Sequence, residues 1–164
     1  MSGALDPQSW SRSLSQALRA VRRRQGLRAA DVAARMGMPL RSYEHFESGG
    51  GRISLERIHQ FAEATGSDPH AILAAVLMGS PLFAARSARN KLMLSFMLLL
   101  QELDADVGDD LELVETGVFL AQFGEAFARL AAEARRRREL TADIERRGQV
   151  AGLTAPTGGP TPKT

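Results

Sequence analysis

Apolar side chains return at three- and four-residue intervals through the first half of the chain, and small or helix-breaking residues interrupt them. Leu14, Leu18 and Val21 share one helical face, and Val32, Ala33 and Met36 a second. Tyr43 and Phe46 make a third, Leu55, Ile58, Phe61 and Ala62 a fourth, and Ile72, Leu73 and Val76 a fifth. Between these faces stand Gln25-Gly26, Gly37, Gly49 to Gly51, Thr65-Gly66 and Gly79-Ser80-Pro81. The pattern predicts five short helices between residues 13 and 79. Ser13 with Gln16 forms a capping box for the first, Pro39 suits the first turn of the third, Ser54 caps the fourth and Asp68-Pro69 opens the fifth. Residues 1–12 read as a flexible leader, because Asp6-Pro7 is unsuited to a helix interior; Trp10 either packs on the domain or is mobile.

Past Gly79-Ser80-Pro81, taken as the domain boundary, the spacing lengthens. A helix is expected from about Leu82 to Leu103, apolar nearly all round from Leu92 to Leu100. Such a surface must be covered on most sides. After a polar turn at Asp104 to Asp110, a second helix is expected from about Leu111 to Glu139, with Phe119, Phe123, Phe127, Leu130 and Ala134 on one stripe and a basic run at Arg135–Arg138. Thr141 is read as the cap of a short last helix ending near Arg147, and residues 148–164 as a disordered tail rich in Gly, Pro, Thr and Ala. The fold class is therefore all-α: a five-helix domain (13–79), a C-terminal helical region (81–147) and a tail.

The stretch from Leu27 to Gly49 organises the chain. Two short helices meet at Gly37, where the turn needs a left-handed residue that glycine adopts without steric cost. In the second of them Tyr43 and Phe46 point inward, while Leu40, Arg41, Glu44 and His45 share the opposite face. These are the elements of a helix-turn-helix. With Leu14, Leu18, Arg22, Gly26-Leu27, Val32-Ala33, Gly37, Tyr43, Phe46-Glu47, Gly49, Ser54-Leu55, Ile58, Ala62 and the close from Gly66 to Leu73, the segment from Leu14 to Val76 resembles the Cro/C1-type (Xre-like) helix-turn-helix domain of phage repressors and many bacterial regulators. The resemblance implies that Arg22 forms a partly buried, architectural ion pair with Glu47. It also departs from the family at the start of the second helix, where Arg28 and Ala29 replace a small polar cap and a DNA-contacting glutamine; the missing cap should loosen that helix end.

Charge follows the same division. Residues 1–80 carry ten basic and seven acidic side chains, and residues 81–164 eleven and twelve, so the excess lies on the helix-turn-helix half, as phosphate contact requires. Heavy use of arginine and alanine is equally the mark of a GC-rich genome. The chain has no cysteine, which leaves neither disulfides nor thiolate metal sites and fits a reducing cytoplasm. Residues 1–12 do not resemble a signal peptide, and no apolar run approaches the roughly 20 residues of a membrane span.

No enzymatic chemistry is legible. The histidines His45, His59 and His70 have no ligand spacing, Asp104, Asp106, Asp109 and Asp110 lack the offsets of a calcium loop, and there is neither a phosphate-binding glycine loop after a strand nor a nucleophile elbow. No cofactor or metal is expected. Given the motif, Leu40, Arg41, Glu44 and His45 are the base-reading candidates: Arg41 for the O6 and N7 of guanine, Leu40 for a thymine methyl, Glu44 for a cytosine amino group and His45 for a base or phosphate. Phosphate contacts are expected from Arg23, Arg28, Ser42, Gly50 and Arg52, although an arginine at a helix end and a flexible glycine loop are also ordinary surface features. The expected function is a bacterial or phage-derived transcriptional regulator, cytoplasmic and nucleoid-associated, binding operator DNA as a homodimer through Leu92, Phe96, Leu99, Phe119, Phe123 and Phe127. An antitoxin-like or co-regulator module, using the helix-turn-helix as a scaffold for another protein, is the alternative.

Overall fold

A computed structural model describes residues 7–51 and 53–150. They form eight α-helices and one 3-10 turn, with no strand among them: α1 (Pro7–Arg24), α2 (Ala29–Arg35), α3 (Leu40–Glu47), α4 (Leu55–Thr65), α5 (Pro69–Leu77), α6 (Pro81–Ser87), α7 (Leu92–Val107), the 3-10 turn Gly108–Leu113, and α8 (Thr116–Val150). The chain divides at Gly108 into two compact units.

In the first unit one core joins α1 to α6. Leu18, Val21, Val32, Tyr43, Ile58, Phe61 and Ile72 are fully buried, and Leu14, Ala17, Ala33, Phe46, Ala75, Ala84 and Ala85 close around them. Two expectations change here. Helix α1 begins at Pro7 and not at Ser13, since a proline at the first helical position forfeits no hydrogen bond. Residues 7–12 are therefore helix and not leader, and Trp10 packs against the core; residues 1–6 lie outside the described residues. The glycine at 79 ends α5 but not the core. Ala84 and Ala85 of α6 are buried with α1 and α5, so the compact unit runs past the expected boundary.

The helix expected from Leu82 to Leu103 is broken at residues 88–91. Lys91 takes a left-handed backbone (φ 53°), and its ammonium reaches the carbonyl oxygens of Ser67 (2.5 Å) and Gly66 (3.4 Å). Asp68 fixes both sides of this junction. One carboxylate oxygen accepts from the amides of His70 and Ala71, capping α5, and the other accepts from the amide of Leu94 (2.9 Å) in the first turn of α7. The wholly buried carboxyl group thus has three backbone donors. α7 packs along α5 but buries no residue completely, and Leu94, Leu98 and Leu99 stay exposed.

In the second unit α8 is continuous for 35 residues. The short final helix capped by Thr141 is not formed: the Thr141 hydroxyl donates back to the Arg137 carbonyl inside α8. Residues 148–150, assigned to the tail, are helical; the tail from 151 onward lies outside the described residues. Of the residues expected to pair two copies, Leu99 and Phe127 are more than half exposed, and Leu92, Phe96, Phe119 and Phe123 are partly exposed.

Candidate nucleic-acid interface

The surface centres on α3, and its orientation is fixed from beneath. Pro39 precedes α3 in an extended conformation, and Gly37 makes the turn from α2 with φ 64°. Tyr43 and Phe46 enter the core at a spacing of three and meet edge to face (6.4 Å), and Phe46 continues to Phe61 of α4 (6.3 Å). With that face buried, Leu40, Arg41, Ser42, Glu44 and His45 are all exposed.

Glu47 anchors the other end. Arg22 donates from Nε to one of its carboxylate oxygens (2.6 Å) and from a terminal nitrogen to the other (3.0 Å), while the other terminal nitrogen donates to the Leu27 carbonyl (3.2 Å). The Tyr43 hydroxyl donates to the first oxygen as well (2.7 Å). The side chains of Arg22 and Glu47 are 16% and 8% exposed, which makes this a buried, bidentate pair. Burial alone would raise the Glu47 carboxyl, but the hydrogen bonds from Arg22 and Tyr43 outweigh it and hold the group below its usual range. Burial and the adjacent carboxylate push the Tyr43 phenol up, so it stays a donor. The group ties α1 to α3.

The start of α2 is mended in a way that the missing cap did not suggest. Asp31, three residues into the helix, accepts from the Arg28 backbone amide (3.1 Å) and from two nitrogens of its guanidinium (3.0 and 2.9 Å). This is the return half of a capping box, supplied without a Ser or Thr. The bonds from Arg28 hold the Asp31 carboxyl below its usual range. Arg28 is thus engaged by Asp31, and a phosphate must compete for it.

His45 and Gly50 come together. The imidazole lies against Gly50 so closely that any Cβ there would overlap the ring, and the Gly50 amide donates to the His45 carbonyl (2.9 Å). His45 thus belongs as much to the loop after α3 as to the reading face. Gly49, with φ 80°, passes directly over the Ser11 carbonyl of α1, where a Cβ would collide with backbone. The triplet is a close-approach loop, and the clue in the sequence was the run of glycines itself. Arg52 lies outside the described residues.

Arg23 is not brought to this group. It stands on the α6 side of α1, around a shallow hollow of about 440 Å³ that it lines with Gln16, Arg19, Ala20, Arg24, Leu82 and Ala85. Arg35 was not singled out from sequence; it reaches from α2 to the Ala64 carbonyl in the last turn of α4 (3.0 Å), where a cation complements the helix dipole. His59 and His70 meet edge to face at 6.0 Å, a contact between neighbouring helices that their sequence separation concealed. Among the described residues no three His, Asp or Glu side chains converge as a metal site would require, and no helix is long and apolar enough to cross a membrane.

Residues 13–75 match the family model of a helix-turn-helix domain. No curated protein and no solved structure matches the chain. The first unit therefore carries a helix-turn-helix domain, with α2 and α3 as its two defining helices.

Proposed function

We propose that this chain is a sequence-specific DNA-binding transcriptional regulator of the Cro/C1 type, bacterial or phage-derived and nucleoid-associated, that binds operator DNA as a homodimer and carries out no catalysis. The observation that supports it is the division of α3: Tyr43, Phe46 and Glu47 are buried, and Leu40, Arg41 and Glu44 are exposed on the outer side. A helix anchored on one face can lie in the major groove, about 12 Å wide, without disturbing its own packing. Arg41 then donates two N–H groups to the O6 and N7 of a guanine, Leu40 rests on a thymine methyl, and Glu44 accepts from a cytosine amino group. Ser42, the loop at Gly50 and Arg28, once exchanged from Asp31, serve phosphates, which set register and make affinity fall with salt.

One recognition helix with about four reading residues gives few of the contacts a specific site needs. Two copies reading half-sites roughly 34 Å apart add theirs, which is why the reading includes a homodimer. The exposed Leu98, Leu99, Phe127 and Leu130 of the C-terminal helices supply material for association. The same surfaces favour the second reading, an antitoxin-like or co-regulator module whose helix-turn-helix is a scaffold for another protein. Enrichment of duplexes from a random pool by the purified chain separates the two. A two-fold related pair of half-sites about one helical turn apart is the expected result. A pool that stays random through successive rounds would refute operator binding.

A further inference from the structure

Helix α8 is about 52 Å long and buries none of its described side chains. Its polar groups are largely satisfied within the helix: Glu125 with Arg129, Glu133 with Arg136 and Arg137, and Asp143 with Arg146 and Arg147. What remains unsatisfied is a row of apolar side chains, with Leu130 54%, Leu140 52% and Ile144 69% exposed. At 3.6 residues per turn, Ala126, Leu130, Glu133, Arg137, Leu140 and Ile144 fall within about 80° of arc, alternating at spacings of four and three. This is a heptad seam with an ion pair at its middle: Arg137 Nε lies 2.6 Å from Glu133.

The spacing of this seam, four-three-four-three-four, reads the same from both ends, and reversal exchanges Glu133 with Arg137, Leu130 with Leu140 and Ala126 with Ile144. Two copies laid antiparallel and crossing at residue 135 bring Glu133 opposite Arg137 of the second copy, and Arg137 opposite its Glu133. The layers on either side are then Leu130 against Leu140, and beyond them Ala126 against Ile144, a small residue facing a large one. Ala134 sits beside the axis, where a small side chain lets the helices approach. Parallel pairing gives the opposite: Glu133 faces Glu133, Arg137 faces Arg137, and like charges stack in successive layers. Arg136 meets its own copy across one flank of the antiparallel arrangement, but Glu133 already binds it at 2.8 Å and offsets the charge. A polar pair inside an apolar seam costs stability and fixes register and direction.

We infer that α8 pairs with α8 of a second copy as an antiparallel two-helix coil centred on residue 135, its register set by reciprocal Glu133–Arg137 contacts between the chains. The inference rests on the homodimer reading above and adds to it the surface, the direction and the determinant of pairing. It engages residues 120–150 of each copy, an overlap of about 45 Å.

The chain has no cysteine, so single spin labels can be introduced on the outer side of α8 in the full-length protein, at Ala121→Cys, Arg135→Cys and Gln149→Cys. Pulsed dipolar spectroscopy reads the distance between identical sites. Antiparallel pairing predicts the shortest distance at 135, with the component along the coil lengthening by about 3 Å for each residue away from it in either direction. Alongside, sedimentation compares Glu133→Arg with the swap Glu133→Arg plus Arg137→Glu. The single change should weaken association more than about tenfold, because two arginines then oppose each other, and the swap should restore it. A dimer with equal distances at all three positions overturns this pairing and leaves the homodimer reading standing. A protein that remains monomeric throughout overturns both.

Discussion

Ile72 and Ile144 are the same residue on two helices of one chain, and the contrast between them divides the molecule. Ile72 has no exposed surface and is surrounded by α1, α4 and α6, whereas Ile144 is 69% exposed on α8. From α1 to α6 the first unit resolves its own demands. The inward apolar faces of these helices meet in one core, their ends are capped by Asp31, Ser54 and Asp68, and the buried carboxylates Glu47 and Asp68 are bonded. In the second unit Glu125, Glu133 and Asp143 pair with arginines within α8, Phe119 stacks on Phe123 at 6.0 Å, and Leu130, Leu140 and Ile144 stay more than half exposed. Exposed ion pairs of that kind add little to stability, and apolar side chains left in water contribute no burial. One region is built to hold a shape and the other to meet something.

Equal substitutions made on both sides give the sharpest contrast. Ile72→Ala should destabilise the core by about 2–5 kcal/mol through lost burial and the cavity left behind. Ile144→Ala should change the unfolding of the first unit by less than about 0.5 kcal/mol, as exposed sites do, and weaken self-association instead. Denaturant unfolding followed by Trp10 fluorescence, beside sedimentation, reads both.

Glu47→Gln ranks next, because it leaves Arg22 buried with half its partner and should cost roughly 3 kcal/mol. The loss carries a pH signature. Glu47 is held below its usual 4.5, so its contribution is complete above that pH and disappears as pH falls through the folded value. Wild type and Glu47→Gln should therefore differ at neutral pH and converge in acid. A gap that persists at pH 2 would assign the effect to shape and not to charge.

On the DNA side, Arg41→Ala should lose about 1–3 kcal/mol on an enriched site and relax preference at one base pair, while leaving the core as stable as before. Arg41→Lys should recover only part of this, since an ammonium lacks the planar fork. Equal losses on specific and random duplexes would make Arg41 a phosphate contact. The smallest effect is expected from Asp31→Ala: faster hydrogen exchange at the start of α2, with the remaining helices unchanged.

The five helices of the DNA-binding half were legible because their periodicity, caps and glycine stops agree with one another; Val32, Tyr43, Phe46, Ile58 and Ile72 are where the spacing put them. The Arg22–Glu47 pair came from the resemblance, and its hydrogen bond from Tyr43 from the coordinates. Legibility failed where a residue acts across the chain. Asp68 reads locally as a cap for α5, and nothing near it signals that its second oxygen takes an amide 26 residues away. Lys91 is an unremarkable residue for a helix until its ammonium finds carbonyls on the α4–α5 turn. The break between α6 and α7 depends on both, so local pattern joined them into one helix. The alanines of α6 gave no strong apolar signal, yet they complete the core. Truncation after Met78 would therefore strip the core, and a fair test of the domain must retain α6.

A chain ending at Gly108 keeps the whole first unit and removes α8. Titrating it and the full-length protein against duplexes carrying one or two enriched half-sites tests the division of labour directly. Full-length protein should bind two half-sites far more tightly than one, whereas the shortened chain should bind both weakly and show no more than the twofold statistical preference for the longer duplex. Unchanged affinity of the shortened chain for the two-half-site duplex would contradict the account and place the pairing surface within the first unit.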